Sequence, residues 1–137
     1  MSAPVAIVAA VIRDNDCRVL LVRKHGTSAF MQPGGKREPG EDDLTALARE
    51  LDEEIGCRMD RATAVSLGQF RARAANEGGR DVIADIYAVS VACEPRPLAE
   101  IAELLWVDPK QPPEVEIAPL TRQHILPLMS NRERLRG

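Results

Sequence analysis

Aromatic residues are scarce. Phe30, Phe70, Tyr87 and Trp106 make up 3% of the chain. A platform that stacks successive bases needs more rings than that, so single-stranded nucleic acid is not an expected partner. Positive charge is not in excess either. Eighteen Lys and Arg face 21 Asp and Glu, for a net charge of −3. Bulk attraction to long nucleic acid is therefore not expected. The three cysteines, Cys17, Cys57 and Cys93, lie far apart, with no Cys-x-x-Cys pair and no Cys/His cluster. Neither zinc nor a disulfide framework is expected, which fits a reducing cytosol and a cytoplasmic location. The chain lacks a P-loop run and a Gly-x-Gly-x-x-Gly run. Residues 5–12 are apolar but too few to span a membrane, and no basic leader precedes them. No membrane partner is expected.

What is present describes an ordinary globular protein. The chain has 137 residues, 45% hydrophobic and 28% charged. That is enough for one good core, so a single domain over residues 1–137 is expected. Val5 to Ile12 is β-branched and continuous, which predicts a central strand buried on both faces. Arg13-Asp14-Asn15-Asp16 predicts a turn, and Arg18 to Lys24 a second strand paired to the first as a hairpin. Val65–Ala75 and Val82–Cys93 predict two long strands joined through Asn76 to Asp81. Leu120 to Met129 predicts a closing amphipathic helix that Pro127 kinks or ends, with His124 solvated or packed and a frayed tail behind.

The informative stretch runs from Gly34 to Cys57. Leu44, Leu47, Ala48, Leu51 and Ile55 recur at the period of one helical face. Glu41, Asp42 and Asp43 supply negative charge at the helix start, and Gly56 supplies the stop. At ~100° per residue, Glu50, Glu53 and Glu54 share about a third of the circumference beside that apolar stripe. Like charges at these spacings repel by a few tenths of a kcal/mol per pair, and a hard cation would reverse the sign. Taken alone, the three glutamates fit a solvated acidic face better than a metal site.

The preceding loop changes that balance. Gly35, five residues, Glu41, seven residues and then Arg49-Glu50-Leu51-Asp52-Glu53-Glu54-Ile55-Gly56-Cys57 resembles the Nudix box. All seven fixed residues of that signature stand at the right spacing. The chance of this at a given start is about 10⁻⁸ at ordinary residue frequencies. Cys57 fills the final aliphatic slot, where a buried cysteine serves as a small hydrophobe.

The resemblance implies a Nudix α/β/α sandwich, with a mixed β-sheet between helices, and a Mg2+-dependent hydrolase in which Mn2+ is an alternative. In the family, Glu50 and Glu54 would be the main metal-ligating side chains. The carbonyl of Gly35 would join them, and Glu53 would ligate directly, act through water or serve as base. Arg49 would orient a carboxylate and Glu41 would support the loop. A further glutamate from the region before Trp106 often serves the metals or the water in relatives. Glu100 is the first candidate and Glu103 the second, with two surface glutamates as the plain alternative.

Phosphate contacts are sought among Arg23, Lys24, Arg71 and Arg73, because guanidinium groups match phosphate oxygens bidentately. An exposed strand end or sheet face is the equal alternative at each. His25 is read as solvated, Asp85 as facing the site or an arginine on the neighbouring strand, and Asn76 and Glu77 as a polar hairpin tip. A short chain of this kind is similar to MutT-like triphosphate pyrophosphohydrolases of nucleotide sanitation. ADP-ribose or nucleotide-sugar pyrophosphatases come second. A non-catalytic nucleotide sensor and an RNA-processing role rank lower. Homodimerisation is common among relatives.

Overall fold

Strand β1 (Val5–Val11) is the spine of the sheet, and its alternation divides the interior. Ala9 and Val11 join one apolar cluster, while Val8, Ala10 and Ile12 join a second on the opposite face. The computed structural model describes residues 3–75 and 78–136. Along β1 run β3 (Gly34–Gly35), antiparallel, and β5 (Asp81–Val91), parallel. Strand β4 (Met59–Arg73) pairs antiparallel with β5 and gives the order β3-β1-β5-β4. A second, two-stranded sheet joins β2 (Val19–Lys24) to β6 (Ile101–Val107).

Helix α1 (Asp43–Ile55) covers one face with Leu47, Leu51 and Ile55, each 0% exposed. The other face is covered by a π-helical turn (Thr121–Ile125) and helix α2 (Leu126–Arg136), through Ile125, Leu126 and Met129. A mixed sheet between helical layers is the sandwich that the box implied. Among the described residues, no helix is long and apolar enough to cross a membrane.

Five local expectations are corrected. The strand at Val19–Lys24 does not form a hairpin ladder with β1; one isolated bridge, Arg13 to Val19, is all that links them there. Asp14 gathers the N–H groups of Asp16 and Arg18, Cys17 takes a φ of 61°, and the chain turns off into the second sheet. Strand β4 begins at Met59, six residues before Val65. Its outer edge and most of its side chains are exposed, so the alternation that reveals a strand is lost. Pro127 neither ends nor merely bends the last helix. It follows a π-turn in which the Leu126 N–H reaches the Thr121 carbonyl, and a residue without an N–H sits naturally where the ladder changes register. The tail is helical through Arg136.

The fifth correction concerns the cysteines. Cys57 and Cys93 form a disulfide, with Cα atoms 5.5 Å apart across 36 residues of sequence. The return of β5 brings the end of that strand beside the end of α1, a meeting that cysteine spacing does not encode. Asn76 and Glu77 lie outside the described residues.

The buried stripe of Leu47, Leu51 and Ile55 ties α1 to the sheet. Leu51→Ala is expected to cost about 2–5 kcal/mol in urea denaturation, as for other fully buried leucines. Val65→Ala, at a side chain 56% exposed, should stay within about 0.5 kcal/mol.

Candidate active site

Two glycines set the loop against the helix. Gly34 has a φ of 152°, and a Cβ there would collide with the Val8 carbonyl. Its N–H donates to Glu54 Oε1 at 3.0 Å. A Cβ on Gly35 would overlap Glu50 Oε2, so the Glu50 carboxylate lies directly on that backbone. No side chain larger than hydrogen permits either approach.

Helix α1 is fixed at both ends. Asp42 caps it by accepting the Thr45 N–H at 2.8 Å, and Gly56 closes it with a φ of 67°. The last carbonyls are not left to water. Glu54 O accepts the Leu98 N–H and Ile55 O the Arg96 N–H, both at 3.0 Å. The segment after β5 thus docks on the helix end and delivers Glu100, whose carbonyl also accepts the His25 N–H at 2.8 Å.

Arg49 organises the loop. Its Nε and Nη2 grip Glu41 at 2.8 and 2.9 Å, and Nη2 also reaches the Lys36 carbonyl at 3.0 Å. Glu50 follows at 3.2 Å, and Glu53 at 3.6 Å. The hydrogen bond from Arg49, aided by the Glu38 N–H, holds the Glu41 carboxyl down to about 2. Arg37 ties the same loop to the sheet, meeting Asp43 at 2.7 Å and Asp85 at 2.5 Å. Tyr87 donates to Asp43 at 2.6 Å, a bond that pushes its own hydroxyl up to about 12.

Glu54 is the electrostatic anomaly. It is 2% exposed, and burial pushes its carboxyl up to about 8. The Gly34 N–H pulls the other way, and neighbouring Glu50 adds to the rise. Burial raises Glu50 as well, with Arg49 opposing. Lys24 Nζ stands 3.5 Å from Glu100.

A cavity of about 460 Å³ joins these groups. Its charged lining includes Lys24, Arg49, Glu50, Glu54 and Glu100. Toward the start of β1 it is lined by Val5, Ile7 and Val82, with Arg73 of the neighbouring strand β4 beside them. It opens beside the first half of β1 because β3 is two residues long and pairs only with Val8 and Ala9.

The structure brings together Gly35, Arg49, Glu50, Glu54, Glu100 and Arg73 along this cavity. Glu53 is not in its lining, and its side chain is 53% exposed. Arg23 does not line it either; its guanidinium is taken by Glu103 at 3.1 Å and the Thr27 carbonyl at 2.8 Å. Strand alternation turns Lys24, not Arg23, to the cavity. Arg71 pairs with Asp81 at 3.0 Å on the exposed side. Asp85 faces an arginine, but on the box loop and not on the neighbouring strand. His25 is exposed, and His124 packs on Phe70 with ring centroids 5.5 Å apart.

Sequence reasoning passed over Lys36, Arg37 and Glu38, which follow the glycines and line the cavity. It also passed over Gln32 and Thr121, which line it too. Gln32 carried a signal, as the one polar side chain among Phe30, Met31 and Pro33; Thr121 carried none. Among the described residues, no three Asp, Glu, His or Cys side chains converge as a ready metal cage.

The buried carboxyl has a pH signature in metal-free protein. Between its ordinary 4.5 and about 8, the folded chain holds the Glu54 proton more tightly than the unfolded chain. Its contribution to stability therefore falls as pH rises through that window. In EDTA, the Tm of Glu54→Gln should gain on wild type progressively from pH 5 to pH 8. A constant difference across that range contradicts the assignment.

The NUDIX domain model matches residues 3–129. A Nudix hydrolase from Nitrosomonas europaea is 31% identical, over 75% of this chain and 71% of that one, with a TM-score of 0.61. A MutT protein from Methanosarcina mazei Go1 aligns over 97% and 98% of the two chains at 24% identity and a TM-score of 0.76. A UDP-X diphosphatase shares the fold at 20% identity, over 97% of this chain and 66% of that one, with a TM-score of 0.75. No curated protein is significantly similar to the chain. The box, the sandwich and these matches agree: the chain belongs to the Nudix family and is a hydrolase of nucleoside diphosphate derivatives.

Proposed function

We propose that the chain is a Mg2+-dependent pyrophosphohydrolase of nucleoside triphosphates that acts on oxidised or non-standard nucleotides. The observation that supports this reading best is the cavity. Acidic groups crowd one part of its lining, where a phosphate chain needs a cation, and aliphatic side chains line another, where a base would pack. Water adds to one phosphorus, the bridging P–O bond breaks, and a nucleoside monophosphate and pyrophosphate leave.

Members of the family generally use divalent metals. The residues present fit such an ion. The donors are hard oxygens, Gly35 leaves room for the Glu50 carboxylate on its backbone, and the buried Glu54 has no cation in direct contact. Glu50, Glu54 and the Gly35 carbonyl would hold it, with Glu53 reaching in directly or through water. Magnesium takes few carboxylates and completes its shell with water and phosphate oxygens, so a ready cage is not required. When bound, the ion would neutralise phosphate charge and lower the pKa of the attacking water.

The chain's own residues do the rest. Arg49 positions Glu50 and, through Glu41, the loop. Lys24, beside Glu100, meets the phosphates, and Arg73, beside Val82, is a second cation that lines the cavity. Glu100, which lines the cavity from the segment after β5, is the candidate to take the proton of the water, ahead of Glu53 and Glu103. The substrate is a small nucleotide, and no long nucleic acid or membrane is involved. A homodimer is compatible with this reading.

Pyrophosphate release with magnesium tests the reading, across ordinary and oxidised triphosphates, ADP-ribose and nucleotide sugars. Triphosphates are expected to turn over, and Glu54→Gln should lower kcat at least 100-fold. Turnover confined to ADP-ribose or nucleotide sugars selects a diphosphatase instead. Full metal-dependent turnover by Glu54→Gln contradicts the ligand assignment.

A further inference from the structure

A closed ring of side chains, none of them fixed by the box signature, ties the box loop to the sheet. Arg37 stands two residues after Gly35. Its Nε donates to Asp43 Oδ1 at 2.7 Å and its Nη2 to Asp85 Oδ2 at 2.5 Å. The Tyr87 hydroxyl donates to Asp43 Oδ2 at 2.6 Å, and Gln69 Nε2 to Asp85 Oδ1 at 3.2 Å. Every oxygen of both carboxylates therefore accepts a hydrogen bond. The ring joins the loop to the first residue of α1, to β5 and to β4. Strand alternation supplies the β5 members. Ala84 and Ile86 are buried in one apolar cluster, so Asp85 and Tyr87 turn to the face that carries α1. Backbone pairing of the loop with β1 ends at Gly35. Past that residue, Arg49 holds the Lys36 carbonyl and Glu41 to α1. Among the described residues, Arg37–Asp85 is the one ion pair between residues 36–41 and the sheet. A guanidinium fork fixes direction as well as distance, so this pair sets how the loop lies.

We propose that Arg37, held by Asp85 directly and by Tyr87 through Asp43, is a positioning residue that aims the Gly35 carbonyl at the divalent cation. This rests on the reading of Gly35, Glu50 and Glu54 as the ligands of that cation. The ring acts from outside the ligand set, through the two residues between Arg37 and the carbonyl. Charge alone would act differently. An arginine near the site repels a cation and an aspartate attracts one. By direct electrostatics, loss of Arg37 tightens metal binding and loss of Asp85 weakens it. By positioning, both losses weaken it. A ring that only stabilises the fold would lower the Tm and leave metal affinity alone.

The test titrates manganese into wild type, Arg37→Leu, Asp85→Asn and the double variant in the absence of nucleotide. Electron paramagnetic resonance reads the free manganese and gives Kd. Pyrophosphate release against magnesium concentration is measured beside it. Each single variant should raise the manganese Kd about 10-fold, the scale typical of groups that support metal ligands from behind. The loss of activity should lie in the KM for magnesium and not in kcat. The double variant should bind no more weakly than Arg37→Leu, because Asp85 acts through Arg37. Tyr87→Phe changes no charge and should weaken manganese binding in the same direction; it carries the test if Arg37→Leu does not fold. An unchanged Kd in the variants, a tighter Kd in Arg37→Leu, or fully additive losses in the double variant overturns the inference and leaves the hydrolase reading standing. Weakened manganese binding in the variants of a protein that hydrolyses no nucleotide supports the inference and overturns the hydrolase reading. Wild type that binds no manganese overturns the inference.

Discussion

Glu54 is a carboxylate folded into the interior beside the Gly34 N–H, and much of the site follows from that one placement. Ionising a buried carboxyl without a matching cation is costly, and a single backbone donor does not offset it. The helix that carries Glu54 has its neighbours Leu51 and Ile55 buried in the sheet, so the carboxylate cannot swing out without lifting the helix. Stability gained by the apolar stripe holds the acidic group where it is least comfortable. That is the arrangement expected of a group whose partner arrives from outside the chain.

The surrounding contacts keep the strain in place. Gly34 and Gly35 let the loop lie on the helix, Arg49 holds the loop by Glu41, and Arg37 pins it to β5 by Asp85. The segment after β5 seals the helix end and carries Glu100 into the cavity lining. Near where that segment leaves β5, the Cys57–Cys93 bond joins it to the end of the helix. Three separate stretches of chain are thereby fixed around one buried carboxylate.

Much of this was legible in the sequence where the signal is local. The helix was readable from its 3.6-residue period, its acidic start and Gly56, and the box spacing named Gly35, Arg49, Glu50 and Glu54. What depends on distant partners was not readable. Arg23 and Lys24 are neighbours on one strand, and only the pairing of β2 with β6 decides which of them faces the cavity. Strand β4 is an edge with little buried surface, so its first six residues carried no alternation. Cys57 and Cys93 meet only because β5 returns to the helix end. Gln32 and Thr121 come together across 89 residues through a π-turn that no residue pattern announces.

The central claim is that the crowded carboxylates hold a divalent cation. Anomalous diffraction from crystals soaked in manganese measures this directly. A peak is expected within bonding distance of Glu50, Glu54 and the Gly35 carbonyl. A peak confined to exposed carboxylates such as Glu53 or Glu103, with none beside Glu54, would contradict it.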